Sequence, residues 1–193
     1  MTRRWVRVVA LALVSTVTAT AATAQVQNYV PVTDAMLQNP DPNDWLNWRR
    51  TLDAQAHSPL DQITADNVSD LRLVWSWALR TGPQQTTPLV HGGVLYIANP
   101  GEIIHAINAA TGDLIWEYER GAEAPGNSFG GPPPGRMTRN ISIYEDKIYL
   151  NTADAHVVAI DARTGEEVWE TDIDQGVGYQ FSSGSIVADG KVV

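Results

Sequence analysis

Histidines at positions 57, 91, 105 and 156 are the first residues to weigh for chemistry. A helical zinc site needs two histidines at i and i+4, and no pair stands so here. They read as surface or packing histidines on turns and strands. Asp172 and Asp174 ahead of Gly176 imitate the start of a calcium loop, but the acidic residue that closes such a loop is missing. Gly126 to Gly131 could suggest a phosphate cradle, yet no Lys-Ser/Thr follows and no helix is signalled. His57-Ser58 is no nucleophile elbow, because Gly-x-Ser-x-Gly is absent. Asp53, Asp61, Asp66 and Asp70 read as residues of solvated turns. With no cysteine in 193 residues, disulfides, thiolate metal sites and cysteine nucleophiles are excluded.

The elements that would position any site repeat along the chain. Val94-Leu95-Tyr96-Ile97 leads to Ala106-Ile107-Asn108-Ala109-Ala110-Thr111-Gly112 and then Leu114-Ile115-Trp116. Ile148-Tyr149-Leu150 leads in the same way to Ala159-Ile160-Asp161-Ala162-Arg163-Thr164-Gly165 and then Val168-Trp169, 53 residues later. Each block predicts two strands, a turn in which Asn or Asp caps its own backbone and Gly takes φ > 0, and a third strand ending in Trp. Leu71 to Trp77 looks like the end of a still earlier unit. His91-Gly92-Gly93, Tyr144-Glu145-Asp146 and Asp189-Gly190 predict hairpin turns between apolar runs. Short strands, periodic turns and a repeated Trp describe an all-β partial propeller of about three blades. The repeated tryptophans are expected to pack blade against blade. Gly121 to Met137 inserts a Gly/Pro loop into the second unit.

Residues 1–24 are expected to be a secretory signal peptide: Arg3, Arg4 and Arg7, then apolar Val8 to Val14, then the small-x-small site Ala22-Thr23-Ala24. The formal charge of −9 becomes about −12 once those arginines are removed. An acidic chain of this kind argues against nucleic-acid binding. Export without cysteines points to a bacterial periplasm. Residues 25–193 are expected to be the N-terminal part of a larger propeller, because a closed ring needs at least four blades.

Asp44-Trp45, Arg50, Ser58, Ile63, Asn67-Val68 and Leu71-Arg72 keep the spacing of a longer pattern. It resembles the N-terminal signature of the quinoprotein alcohol dehydrogenases, which use pyrroloquinoline quinone (PQQ) in an eight-bladed propeller. The chain departs from that signature at Arg49 (family Gly), His57 (family aromatic) and Thr64 (family Asn).

The resemblance implies three cofactor-binding residues. Gln85 stands where the family has a glutamate, Arg139 matches the arginine that pairs with a cofactor carboxylate, and Ser182 falls near a threonine that hydrogen-bonds the cofactor. Pro133-Pro134 lies about where the family often has two adjacent cysteines. The resemblance further implies oxidation of a primary alcohol, electron transfer to a cytochrome c, and a Ca²⁺ or lanthanide ion. The ligands of that ion and the catalytic aspartate would lie beyond residue 193, which makes the chain a fragment that is inactive alone. The competing readings are a non-catalytic propeller scaffold and an inactive truncated product that exposes a blade face and a strand edge.

Overall fold

Val94 to Asn99 alternates buried and half-buried side chains before ending on two buried ones, the period of a strand with one face in a core. That strand belongs to the first of two matching sheets in the computed structural model, which describes residues 24–120, 139–179, 181 and 183–193. The first sheet takes β1 (Leu89–His91), β2 (Val94–Asn99), β3 (Ile103–Asn108) and β4 (Leu114–Glu119) in chain order, all antiparallel. The second repeats it with β5 (Ser142–Tyr144), β6 (Lys147–Asn151), β7 (His156–Asp161) and β8 (Glu167–Asp172). A hairpin of β9 (Val187–Ala188) and β10 (Lys191–Val192) begins a third. The fold is therefore a partial propeller of two full blades and the first hairpin of another. Among the described residues a short α-helix, Asp34–Gln38, with Thr33 capping its N-terminus, and a single 3-10 turn, Val68–Asp70, precede them.

The predicted hairpins are present. Gly92 and Gly93 have φ of 56° and 79°, and Asp189 and Gly190 have 52° and 68°. Two successive left-handed residues make the turn that matches strand twist, and glycine occupies it without a Cβ penalty. The repeated turn is also as expected. Asn108 Oδ1 accepts from the N–H groups of Ala110 and Thr111, and Asp161 Oδ1 accepts from those of Arg163 and Thr164. The strand that carries each tryptophan, the fourth of its sheet, continues past it to Glu119 in β4 and Asp172 in β8. Both blades carry a register shift at the same place, after Ala106 and after Ala159, each opposite its Trp.

Leu71 to Trp77 forms no strand. Leu73 and Val74 are 84% and 79% exposed, since no described strand offers them a ladder. Trp75 nevertheless docks on the next unit: its Nε1 donates to Ala109 O at 3.0 Å, and its ring lies over Gly112. Trp116 does the same to the second blade, donating to Ala162 O at 3.1 Å with its ring over Gly165. Packing of tryptophan between blades is thus borne out at Trp116, and Trp75 makes the same contact from a segment that forms no strand. The Tyr118 hydroxyl donates across the same seam to Glu167 at 2.8 Å, and burial followed by that carboxylate raises its pKa well above the phenol range.

An ion cluster closes the seam. Arg120 is buried and donates to Glu102 at 3.3 Å, to Asp154 at 2.6 Å and to Glu170. Glu102, also buried, accepts from the Ala153 N–H at 2.7 Å. The main core joins Leu89, Tyr96 and Ile104 of the first blade to Ile143, Ile148 and Leu150 of the second. Burying each aliphatic side chain there contributes about 2 kcal/mol.

Candidate functional site

The hairpin loops set a common register for the three blades. Counting back from Gly92, Glu145 and Asp189, the heads of the first strands align Thr87 with Asn140 and Gly184. One residue earlier stand Thr86, Arg139 and Ser183, and one earlier again Gln85 and Ser182 share a position. The candidate residues therefore fall on equivalent segments just ahead of β1, β5 and β9.

These segments touch. The Thr87 N–H donates to Asn140 Oδ1 at 3.2 Å. Gly184 lies against the Asn140 backbone so closely that an added Cβ would sit 2.6 Å from its carbonyl carbon. Ser142 and Ser185 share a hydroxyl hydrogen bond of 2.8 Å, and the Ser185 hydroxyl also reaches Tyr149 O at 3.1 Å. Asn140 and Gly184 further line an apolar cleft of about 350 Å³, shared with Leu46, Trp48, Ile141 and Ile186.

Arg139 is half-buried at this junction, and among the described residues no carboxylate lies within ion-pair distance of it. A guanidinium so placed suits an incoming carboxylate. Gln85 is exposed, while its neighbour Gln84 is tied down by donating to Ala98 O at 2.7 Å. Thr86 Oγ1 is buried without a hydrogen-bond partner among the described residues, so one polar atom here awaits a ligand or water. These donor types suit a ligand that carries carboxylates and carbonyl oxygens. Ser182 and the Gly121–Met137 insert lie outside the described residues.

The signature near the N-terminus has structural work. Asp44 accepts from the Gly92 N–H at 3.0 Å and meets His91 Nδ1 at 2.9 Å, while His91 Nε2 meets Val30 O at 2.7 Å. Trp45 pairs with Val90 through both backbone groups. Arg50 has φ of 70° and is buried, with Nη2 on the carbonyls of Pro40 and Asp41 at 3.3 Å. Asn67 folds its loop by accepting from the Thr64 N–H and donating to Gln62 O.

The histidines are packing or surface residues, as read. His105 is buried between Asn99 and Glu117, and His57 is exposed. Among the described residues no group of His, Asp and Glu is arranged to hold a metal ion. Asp172 caps the N–H groups of Asp174 and Gln175.

Sequence analysis assigns Asn140 no part in the site. Its partners are 53 and 44 residues away, so no local motif marks it. The signal that finds it is the 53-residue period, which sets Asn140 over Thr87.

Comparison with known proteins agrees with this architecture. The profile of the family described as PQQ glucose/ethanol/alcohol dehydrogenase, beta-propeller domain, matches residues 45–144. The dehydrogenase subunit of a quinone alcohol dehydrogenase from Gluconobacter oxydans is 34% identical over 160 residues, 79% of this chain and 21% of that protein. A 1-butanol dehydrogenase (cytochrome c) from Thauera butanivorans is 37% identical over 140 residues, 71% of this chain and 20% of that protein. The crystal structure of the quinohemoprotein alcohol dehydrogenase from Comamonas testosteroni superimposes with a TM-score of 0.71 at 31% identity, over 82% of this chain and 23% of that one. The chain spans about a fifth of the length of these curated relatives. With the paired blades, the docked tryptophans and the profile match over half its length, the chain belongs to the PQQ-dependent alcohol dehydrogenase β-propeller family.

Proposed function

We propose that this chain supplies the first blades of a periplasmic PQQ-dependent dehydrogenase of primary alcohols, with Gln85, Arg139 and Ser182 at the edges of the cofactor. The observation that carries the reading is the half-buried guanidinium of Arg139, without a carboxylate partner among the described residues, at the junction of three strand heads. Bound there, the quinone would supply the two-electron acceptor for alcohol oxidation.

Arg139 holds one of its carboxylates by a charge-assisted fork. Gln85 keeps a hydrogen-bond acceptor and adds a donor, but it brings no charge. The Ser182 hydroxyl hydrogen-bonds the same cofactor. The chain's own residues thus bind and orient, and none is assigned as the catalytic base or as a ligand of the Ca²⁺ or lanthanide ion. Electrons pass to a cytochrome c, a partner type named in the butanol dehydrogenase relative. Residues 1–24 act as the export signal and residues 25–193 as the propeller part. Among the described residues no helix is long and apolar enough to cross a membrane.

The test is quinone titration of the full chain and of Arg139→Ala, followed by tryptophan fluorescence. Loss of one charge-assisted pair should weaken binding by roughly thirtyfold. Equal affinity in the two proteins overturns the assignment.

A further inference from the structure

Thr87, Asn140 and Gly184 are the same position in three successive blades, and each meets the next. The middle one makes both contacts. The Asn140 side chain accepts from blade one at Thr87 N–H, 3.2 Å away. The Asn140 main chain is the surface on which the third blade rests, because only a residue without Cβ fits at Gly184. A side chain there would overlap the Asn140 carbonyl group, whose carbon would be 2.6 Å away. Arg139 is the residue immediately before this double contact. Its backbone has no freedom to shift toward one blade without losing the other.

We propose that Asn140 is the positioning residue of the quinone seat: its amide keys the first blade to the second, its main chain stops the third, and the two contacts together aim Arg139. The proposal rests on the reading that Arg139 holds a quinone carboxylate. Thr87 cannot replace it, since Thr87 offers only its N–H to the junction. Alanine at 140 keeps the main-chain stop but removes the acceptor. The Thr87 N–H is then left without its partner, and the gap between the first two strand heads is free to widen.

Two readouts on the full chain test it. Amide hydrogen exchange reports the keying directly. Asn140→Ala should lose protection at Thr87 by roughly tenfold while Tyr96 and Ala106 in the sheet keep theirs. Asn140→Asp, which retains an acceptor, should regain that protection. Quinone titration reports the aiming. Asn140→Ala should weaken binding by roughly tenfold, less than Arg139→Ala. Asn140→Asp should bind quinone no better than the alanine variant, because its charge opposes an anionic ligand beside Arg139.

Unchanged protection at Thr87 in Asn140→Ala overturns the proposal. So does lost protection with parental quinone affinity when Arg139→Ala has lost it. If Arg139→Ala also binds as the parent does, or the parent binds no quinone, the underlying reading fails and the proposal with it. An Asn140→Asp variant that recovers both readouts reduces Asn140 to a structural link away from the seat.

Discussion

Trp116 and Trp169 occupy one position of one motif, yet the first is 5% exposed and the second 37%. Within their own blades they are alike. Each stands opposite a buried alanine, and each tilts against a tyrosine, at 5.9 Å from Tyr96 and 6.0 Å from Tyr149. The difference is the neighbour. Trp116 lies under the Gly165 turn of the second blade and donates to Ala162 O. Every residue of β8, by contrast, is exposed. Burial of the repeated tryptophan is therefore a property of the seam between blades and not of the blade that carries it. Two such contacts are present among the described residues, Trp75 on Gly112 and Trp116 on Gly165.

Truncation should separate the two positions most widely. Trp116→Ala removes a buried indole and its hydrogen bond, and should lower the free energy of unfolding by about 3–5 kcal/mol. Trp169→Ala removes a ring that is only partly covered, and should cost about 1–2 kcal/mol. Urea unfolding followed by far-ultraviolet circular dichroism measures both. Equal losses would mean that the indole stabilises its own blade, and the seam would lose its central place.

Sequence alone made the blades legible because their signals are local. Asn108 and Asp161 cap their own turns, Gly92-Gly93 and Asp189-Gly190 form the hairpins, and β-branched runs lie between them. Leu71 to Trp77 carries the same apolar pattern without forming a strand, because a strand needs a neighbour to complete its ladder and none of the described sheets includes this segment. The Arg120 cluster was not legible, since Glu102, Asp154 and Glu170 are drawn from turns and a strand up to 50 residues away. At the candidate site the residue types came from family resemblance. Their convergence came from the repeat, which sets Thr87, Asn140 and Gly184 at equivalent places without showing that they touch.

The seam can also be strained from its other side. Gly165 has φ of 76°, and an added Cβ would sit 2.7 Å from the Trp116 ring. Gly165→Ala meets both a left-handed backbone, costing about 1 kcal/mol, and overpacking, costing about 1–3 kcal/mol. Gly190 has φ of 68° but nothing near its Cβ position. Gly190→Ala should therefore show the backbone cost alone, about 1 kcal/mol. The indole N–H resonance of Trp116 supplies a second readout. It should shift in Gly165→Ala and stay in Gly190→Ala. Matching midpoints for the two variants would remove the ring contact from the account.

The smallest effect distinguishes the two turns themselves. Asn108 and Asp161 make the same pair of bonds to backbone N–H groups, but Asp161 also holds Arg163 at 3.2 Å. Burial alone would raise the Asp161 carboxyl. The Arg163 guanidinium, with the N–H groups of Arg163 and Thr164, outweighs it and holds the carboxyl below its usual range. A depressed carboxyl stabilises the fold above the unfolded-state pKa, and that contribution is lost as pH falls through the folded value. Asp161→Asn keeps the turn acceptor and loses only the charge. Arg163 is half-exposed, so the cost at pH 7 should stay below about 1 kcal/mol. The gap between parent and variant should close as pH drops below the ordinary carboxylate range, which paired urea melts at neutral and acidic pH would read. A loss of several kcal/mol would mean that the second turn depends on its ion pair, and the equivalence with Asn108 would fail where the seam depends on it, at the loop that carries Gly165.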